Sequence, residues 1–336
     1  MQETNHEPQA HSNSKRVAVL IPCYNEEVTI EKVVKDFQRV LPQATIYVYD
    51  NNSSDRTAVI ARAAGAIVRF EPRQGKGHVV RQMFRDINAD YYLMVDGDDT
   101  YPAEEAPAML QPLFDGIADT TIGDRLSNKT YERENKRHFH SFGNDLVRWL
   151  IKLIYGYSYS DVMTGYRGFT RAFVKSMPVM SKGFQLETEM SIHAVDSRAR
   201  IINVPIAYRD RPEGSCSKLS TFGDGSKVLA TIVALFKDYK PMAFFSVMAA
   251  MLFILGLLVG VPVVLEFVAT KYVTKVPSAI LAVGFVFSAL LTLSVGIVLD
   301  TVAKNHRKVW ELIAIHTIEP LVETTATSKP EPHSAE

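Results

Sequence analysis

Cysteine is almost missing from this chain: Cys23 and Cys216 are the only two in 336 residues, and neither lies at metal-ligand spacing from another. That excludes a disulfide framework and any Cys-x-x-Cys redox or zinc site, and it fits a reducing compartment. Net charge is missing too, because 37 Lys and Arg balance 37 Asp and Glu. Such a balance offers no polyelectrolyte surface, so nucleic acid is not an expected partner. The glycine motifs that cradle phosphates are also absent. No Gly-x-Gly-x-x-Gly follows the first apolar run and no Gly-x-x-x-x-Gly-Lys-Ser/Thr occurs, which excludes a glycine-fingerprint dinucleotide site and a P-loop. Residues 1–15 contain no apolar core, so they read as a disordered tail and not as a signal peptide.

Charge is absent locally as well. From Met242 to Val268 the only charged residue is Glu266, and between Val276 and Leu299 there is none. Each run exceeds the roughly 20 apolar residues that cross a hydrocarbon core of about 30 Å. The short connection between them makes the pair a hairpin. Lys237 and Lys240 precede it and Lys304, Arg307 and Lys308 follow, whereas the connection has only Lys271 and Lys275. By the positive-inside tendency both outer flanks, and both termini, lie in the cytoplasm. Tyr239, Tyr272 and Trp310 stand where interfacial anchors would. Thr221 to Tyr239 reads as an amphipathic helix feeding the first span. The expected organisation is a tail over 1–15, a cytoplasmic domain over 16–219, an interfacial helix over 220–240, two spans within 241–302 (about 242–268 and 277–301), and a tail over 303–336.

Between the tail and the spans, strands and helices alternate. Val17 to Ile21 is a short apolar run ending at Pro22, as in a buried parallel strand. A helical pattern runs from Asn25 to Val40, and a second strand from Thr45 to Tyr49 ends at Asp50. Ser54 to Thr57 opens a helix that closes at Gly65, Ala66 to Phe70 is a third strand, and Val79 to Ile87 a third helix. Alternation of this kind predicts a parallel sheet with helices on both faces, whose ligands bind beyond the carboxyl ends of the strands. Four polar turns fall there: Pro22–Glu27, Asp50–Asp55, Arg73–Gly77 and Asp96–Asp99.

The last turn carries the most chemistry. The apolar run Tyr91 to Val95 delivers Asp96, Asp98 and Asp99 to its end, and Pro102 stops the ladder. Carboxylates gathered at a strand end repel unless a cation sits among them. Hard oxygen ligands with room for water suit Mg²⁺ or Mn²⁺, typically shared with a diphosphate.

As an ordered set, Pro22-Cys-Tyr-Asn-Glu-Glu27, Asp50-Asn-Asn-Ser-Ser-Asp55, Gly75-Lys-Gly77 and Asp96-Gly-Asp98 resemble the family 2 glycosyltransferases of the GT-A fold. Ile122–Arg125, Arg137–Ser141, Asp161–Arg167, Glu187–Glu189 and Arg209–Lys218 further resemble the polyisoprenyl-phosphate glycosyltransferases, the group of dolichyl-phosphate mannose synthase. Within that group the bacterial branch with two C-terminal transmembrane helices looks closest. The resemblance implies an α/β fold: a Rossmann-like, mostly parallel sheet with flanking helices, followed by a two-helix transmembrane hairpin. It implies transfer of a sugar, with inversion, from a nucleotide diphosphate to undecaprenyl or another polyprenyl monophosphate in the bacterial inner membrane. UDP-linked hexoses or N-acetylhexosamines are the expected donors, with GDP-mannose as the alternative, and a tetramer is the expected assembly.

Roles follow residue by residue. Pro22, Tyr24, Glu26, Asp50 and Lys76 match residues that hold the nucleotide, and Asp96 and Asp98 those that hold Mg²⁺ or Mn²⁺. The family often has Gln two positions after the second Asp as a further metal ligand; here it is Thr100, and Asp99 or water is the expected substitute. Arg125, Arg137 and Arg211 match arginines that bind acceptor phosphate, with Ser141 as a hydroxyl donor; guanidinium forks suit phosphate oxygens. Glu187 and Glu189 read as a base or as supporting partners, Glu189 pairing with an arginine. His138, His140 and His193 read as structural. Leu146-Val-Arg148-Trp149 reads as an amphipathic helix near the membrane. Transfer to a glycan hydroxyl and a catalytically silent membrane scaffold are the competing readings.

Overall fold

The structure is a computed structural model and describes residues 15–127, 138–183, 185–212, 230 and 232–317, with the backbone alone over 138–146 and at 306, 310, 311 and 313–317. Arg137, most of the tails, residues 220–229 of the expected interfacial helix and the side chains of Ser141 and Trp310 lie outside the described residues.

The strands are β1 (Val17–Cys23), β2 (Thr45–Asp50), β3 (Ile67–Phe70), β4 (Tyr91–Met94), β5 (Thr120–Asp124), β6 (Arg167–Thr170) and β7 (Ile201–Pro205). They form one sheet in the order β3-β2-β1-β4-β6-β5-β7. Pairing is parallel except on the two sides of β6, which runs against both β4 and β5. The mostly parallel α/β fold expected from the alternation of elements is therefore observed. Because Arg167 pairs with Met94, the segment that enters β6 arrives at the edge where β1, β2 and β4 end. Residues 161–167 reach the site only through this reversed strand.

Helices α1 (Ile30–Val40), α2 (Thr57–Ala63) and α4 (Ala106–Phe114) cover one face; α3 (Lys76–Asp86), α6 (Arg171–Ser176) and α7 (Leu186–Asp196) cover the other, with α5 (His138–Tyr155) beside α7. Alternation along β1 explains the layers. Val19, Ile21 and Cys23 pack with Val34, Phe37 and Leu110, whereas Ala18 and Leu20 pack with Val80, Met83 and Met190. Full burial of a side chain such as Phe37 or Phe169 contributes roughly 1.5–3 kcal/mol.

Several boundaries differ from the sequence expectation, among them the start of α3 at Lys76 and not at Val79. β1 continues past Pro22 to Cys23, since the ladder with β4 ends at Leu20 and the missing proline N–H faces no strand. Helix α1 starts at Ile30 and not at Asn25. Asn25 is left-handed at φ 54°, and the amides of Glu26 and Glu27 donate to Thr57 Oγ1 (2.8 Å) and Asp55 Oδ2 (3.1 Å).

A helical segment over 232–239 leads to α8 (Pro241–Thr270) and α9 (Val276–Thr317). Both are long and apolar enough to cross a membrane, and only 17% of the most apolar window of each is buried, the reverse of a soluble core helix. Helix α9 continues to Thr317, past residue 301 where the expected span ends. The two helices approach closely at Gly256, where a Cβ would lie 2.9 Å from Val286 Cγ2, and at Gly260 against Ala282.

Candidate functional site

The four polar turns are stitched into one wall by their own hydrogen bonds. Asn25 N–H donates to Ser53 Oγ (2.9 Å) and Ser54 N–H to Asn25 Oδ1 (2.8 Å), joining the turns after β1 and β2. Asn51 Nδ2 donates to the carbonyls of Glu71 and Arg73, and its Oδ1 accepts from Gly75 N–H at 2.7 Å, which draws in the third turn. Thr29 Oγ1 donates to the Gly97 carbonyl at 2.7 Å and ties in the fourth. Glycine at 75 and 77 is required by packing: a Cβ at either would overlap the backbone carbonyls of Lys182 and Ser181.

At the centre is the turn after β4. Asp98 is buried, and its Oδ1 accepts from Thr100 Oγ1 (2.6 Å) and Thr100 N–H (3.2 Å), while Oδ2 pairs with Arg211. Burial, then the charge of Asp96, pushes the Asp98 carboxyl above its ordinary value, with Arg211 and Thr100 acting against the rise. Asp96 Oδ1 receives Lys76 Nζ at 2.5 Å, and the same ammonium reaches Glu187 Oε1 at 2.6 Å. Burial opposes the Lys76 charge, yet the two carboxylates more than offset it and its pKa is raised. The Asp96 carboxylate rests on Gly165, where a Cβ would overlap it. Asp99 points elsewhere, to Lys32 at 2.7 Å on α1.

The remaining residues surround this centre. Asp50 is buried; Oδ2 accepts from Ser53 N–H at 3.3 Å, and Oδ1 has no hydrogen-bond partner among the described residues. Tyr24 is exposed, Glu26 is buried and Pro22 is half-buried in β1. Arg125 forks onto the fully buried Asp161 through Nε (2.6 Å) and Nη2 (3.0 Å), with Tyr208 beside the guanidinium. Arg137 lies outside the described residues, and Ser141 is placed on α5 by its backbone only.

Among the described residues, Glu189 makes no hydrogen bond to an arginine. It accepts from the amides of Met180 (2.9 Å) and Ser181 (2.8 Å), holding the strip of backbone on which Gly75 and Gly77 pack. Two contributors were not singled out from the sequence. Gly165 acts by lacking a Cβ, which has no chemical signature. Arg167 is fully buried, bonded to the carbonyls of Thr164 (3.1 Å) and Val162 (2.5 Å) and to Ser191 Oγ (2.9 Å), and burial lowers its pKa.

The donor set fits a hard divalent cation. Two carboxylates leave one turn, each already drawing a cationic side chain, and among the described residues no third His, Cys, Asp or Glu completes a cage. Further ligands would come from a diphosphate and water.

Residues 18–177 match the model of the family described as glycosyl transferase family 2. The glycosyltransferase AglJ of Haloferax volcanii is 33% identical over 293 residues, covering 87% of this chain and 95% of that protein. The dolichyl-phosphate hexose transferase of the same organism is 31% identical over 217 residues, 65% of this chain and 92% of that protein. In fold, the chain is similar to Mycobacterium tuberculosis glucosyl-3-phosphoglycerate synthase, solved with Mn²⁺, UDP-glucose and phosphoglyceric acid. The TM-score is 0.54 at 23% identity, over 66% of this chain and 80% of that one. With strand-end carboxylates, stitched turns and a near full-length relative agreeing, the chain belongs to glycosyl transferase family 2.

Proposed function

We propose that this glycosyltransferase moves a hexose or N-acetylhexosamine from a uridine diphosphate sugar to undecaprenyl or another polyprenyl monophosphate, at the cytoplasmic face of a bacterial inner membrane. One observation carries the reading: Asp96 and Asp98 meet Lys76 and Arg211 at a strand edge of a domain joined to two membrane-length helices. The dolichyl-phosphate relative supports the acceptor class, and the UDP-glucose complex of the structural neighbour supports the donor class.

A phosphate monoester carries close to two negative charges near neutral pH, its second pKa being about 6. It is already a nucleophile. A phosphate oxygen forms the bond to the anomeric carbon as the bond from that carbon to the diphosphate oxygen breaks. The leaving nucleotide takes the electron pair, configuration inverts, and no proton has to move. What the protein supplies is position and positive charge.

Pro22, Tyr24, Glu26 and Asp50 line the nucleotide side, and the unpaired Asp50 oxygen suits an N–H donor on the base. Lys76 sits where charge builds on the departing diphosphate. A divalent ion would be held by Asp96 and Asp98, and when bound it neutralises that charge as a Lewis acid. Arg125, Arg137, Ser141 and Arg211 are assigned to the acceptor phosphate, and Arg211, on Asp98, joins the two sides.

The test uses the full chain in vesicles with undecaprenyl phosphate, Mg²⁺ or Mn²⁺, and UDP-glucose, UDP-galactose, UDP-N-acetylglucosamine and GDP-mannose in turn. A glycolipid labile to mild acid is expected, lost with chelator and restored by either ion. Asp98→Asn should lower turnover on the order of a hundredfold or more. Absence of glycolipid with every donor would sink the reading, and an acid-stable glycoside would redirect it to a hydroxyl acceptor.

A further inference from the structure

Asp196 ends α7, where the helix dipole disfavours a carboxylate, and its side chain is largely buried. Burial pushes its pKa up, and three cations oppose the rise: Arg307 on α9, Lys240 beside the first turn of α8, and Arg198 just past α7. Arg307 pairs with it at 2.9 Å and donates from the same nitrogen to the Tyr239 carbonyl. Lys240 donates to the Ile154 carbonyl near the end of α5 at 2.6 Å and lies 5.1 Å from the Tyr155 ring centre. A carboxylate badly placed by every local rule is thus kept in place by a cation of the apolar hairpin.

The opposite end of α7 is in the site. Glu187, in its first turn, pairs with Lys76, which pairs with Asp96. Residues 186–194 are all buried, so this strut, about 16 Å long for its 11 residues, has no slack. Helix α9 is the second rigid part. Gly296 packs on Phe245 near the start of α8, and Arg307 stands eleven residues farther along the same helix, roughly 16 Å beyond.

We propose that the Asp196–Arg307 pair is a positioning contact that sets the height of the Asp96–Asp98 turn above the bilayer, so that a membrane-held lipid phosphate meets the donor. The proposal rests on the polyprenyl-phosphate reading above. Sliding α9 by one turn, about 5.4 Å, breaks the pair and takes from a largely buried carboxylate its direct ion-pair partner, so the pair selects a single register.

The test compares two acceptors with full-length protein and the donor that passes the panel above. Undecaprenyl phosphate in vesicles requires the correct height, whereas farnesyl phosphate dispersed in detergent diffuses to the site. Arg307→Gln and Asp196→Asn should raise the apparent KM for the vesicle-held acceptor about tenfold. With farnesyl phosphate, kcat and the donor KM should stay within about twofold, which also shows that the variants fold. Arg307→Lys should recover most of the loss, and the double variant should be no worse than either single one. Equal losses on both acceptors, or no change in vesicles, would overturn the proposal. If the unmodified protein glycosylates neither lipid, the functional reading itself fails.

Discussion

A methyl group placed at Gly165 would strike the Asp96 carboxylate, the free end of a short side chain, and not fixed backbone. The fold can therefore absorb Gly165→Ala by turning Asp96 away. Turnover should fall on the order of a hundredfold while thermal stability changes little, since misplacement by about 1 Å at a reacting centre costs that much. Parallel kinetics and thermal denaturation of the variant check this. Asp161→Asn should do the opposite. It removes the charge of the fully buried carboxylate onto which Arg125 forks and should destabilise by about 3–5 kcal/mol, read from denaturant unfolding. At this scale the sequence showed the groups with chemistry of their own: Asp96, Asp98, Lys76 and the arginines. It could not show Gly165, whose contribution is empty space. Nor could it show that Arg125 is already forked onto Asp161, because those residues lie 36 positions apart.

Helix α7 joins the site to the hairpin, and one of its buried residues makes its stability depend on pH. Burial pushes His193 down to about 4 from an ordinary value near 6.5. Between those values the unfolded chain binds a proton that the folded chain does not, so stability is full above about pH 6.5 and declines as pH falls toward 4. The loss should approach about 3 kcal/mol. His193→Gln should flatten the difference in melting temperature between pH 7 and pH 4.5; an unchanged slope would refute the assignment. At the end of the reversed strand β6, Thr170 caps α6 by accepting from Phe173 N–H at 3.3 Å, and Thr170→Ala should cost about 1 kcal/mol in denaturant unfolding. Up to β4, element type was legible from periodicity and from turn and cap residues. The start of α1 was not, because the amides of Glu26 and Glu27 serve the neighbouring turn instead of the helix.

For the whole molecule, the hairpin packs through Gly256 and Gly260 of α8 and Gly296 of α9, whereas Gly284 meets nothing within 4 Å among the described residues. Gly256→Leu drives a side chain into Val286, Ala282 and Phe285, and should destabilise the hairpin by about 1–3 kcal/mol. Gly284→Leu, with nothing within 4 Å, should be tolerated and serves as its control in detergent melting curves.

By itself the sequence determined the kinds of element up to β4, the strand-end carboxylate turn and the two apolar helices. Each of these is a local property: a period of two or 3.6, a charge cluster, an uncharged run. The tertiary structure decided which charges meet. Lys76 reaches Glu187 across 111 residues, Asp98 meets Arg211, and Asp161–Arg167 enters the site only because β6 runs against its neighbours. Such pairings depend on strand order and on a buried helix ending where α9 passes. These are consequences of packing both faces of one sheet at once, which no stretch of sequence encodes alone.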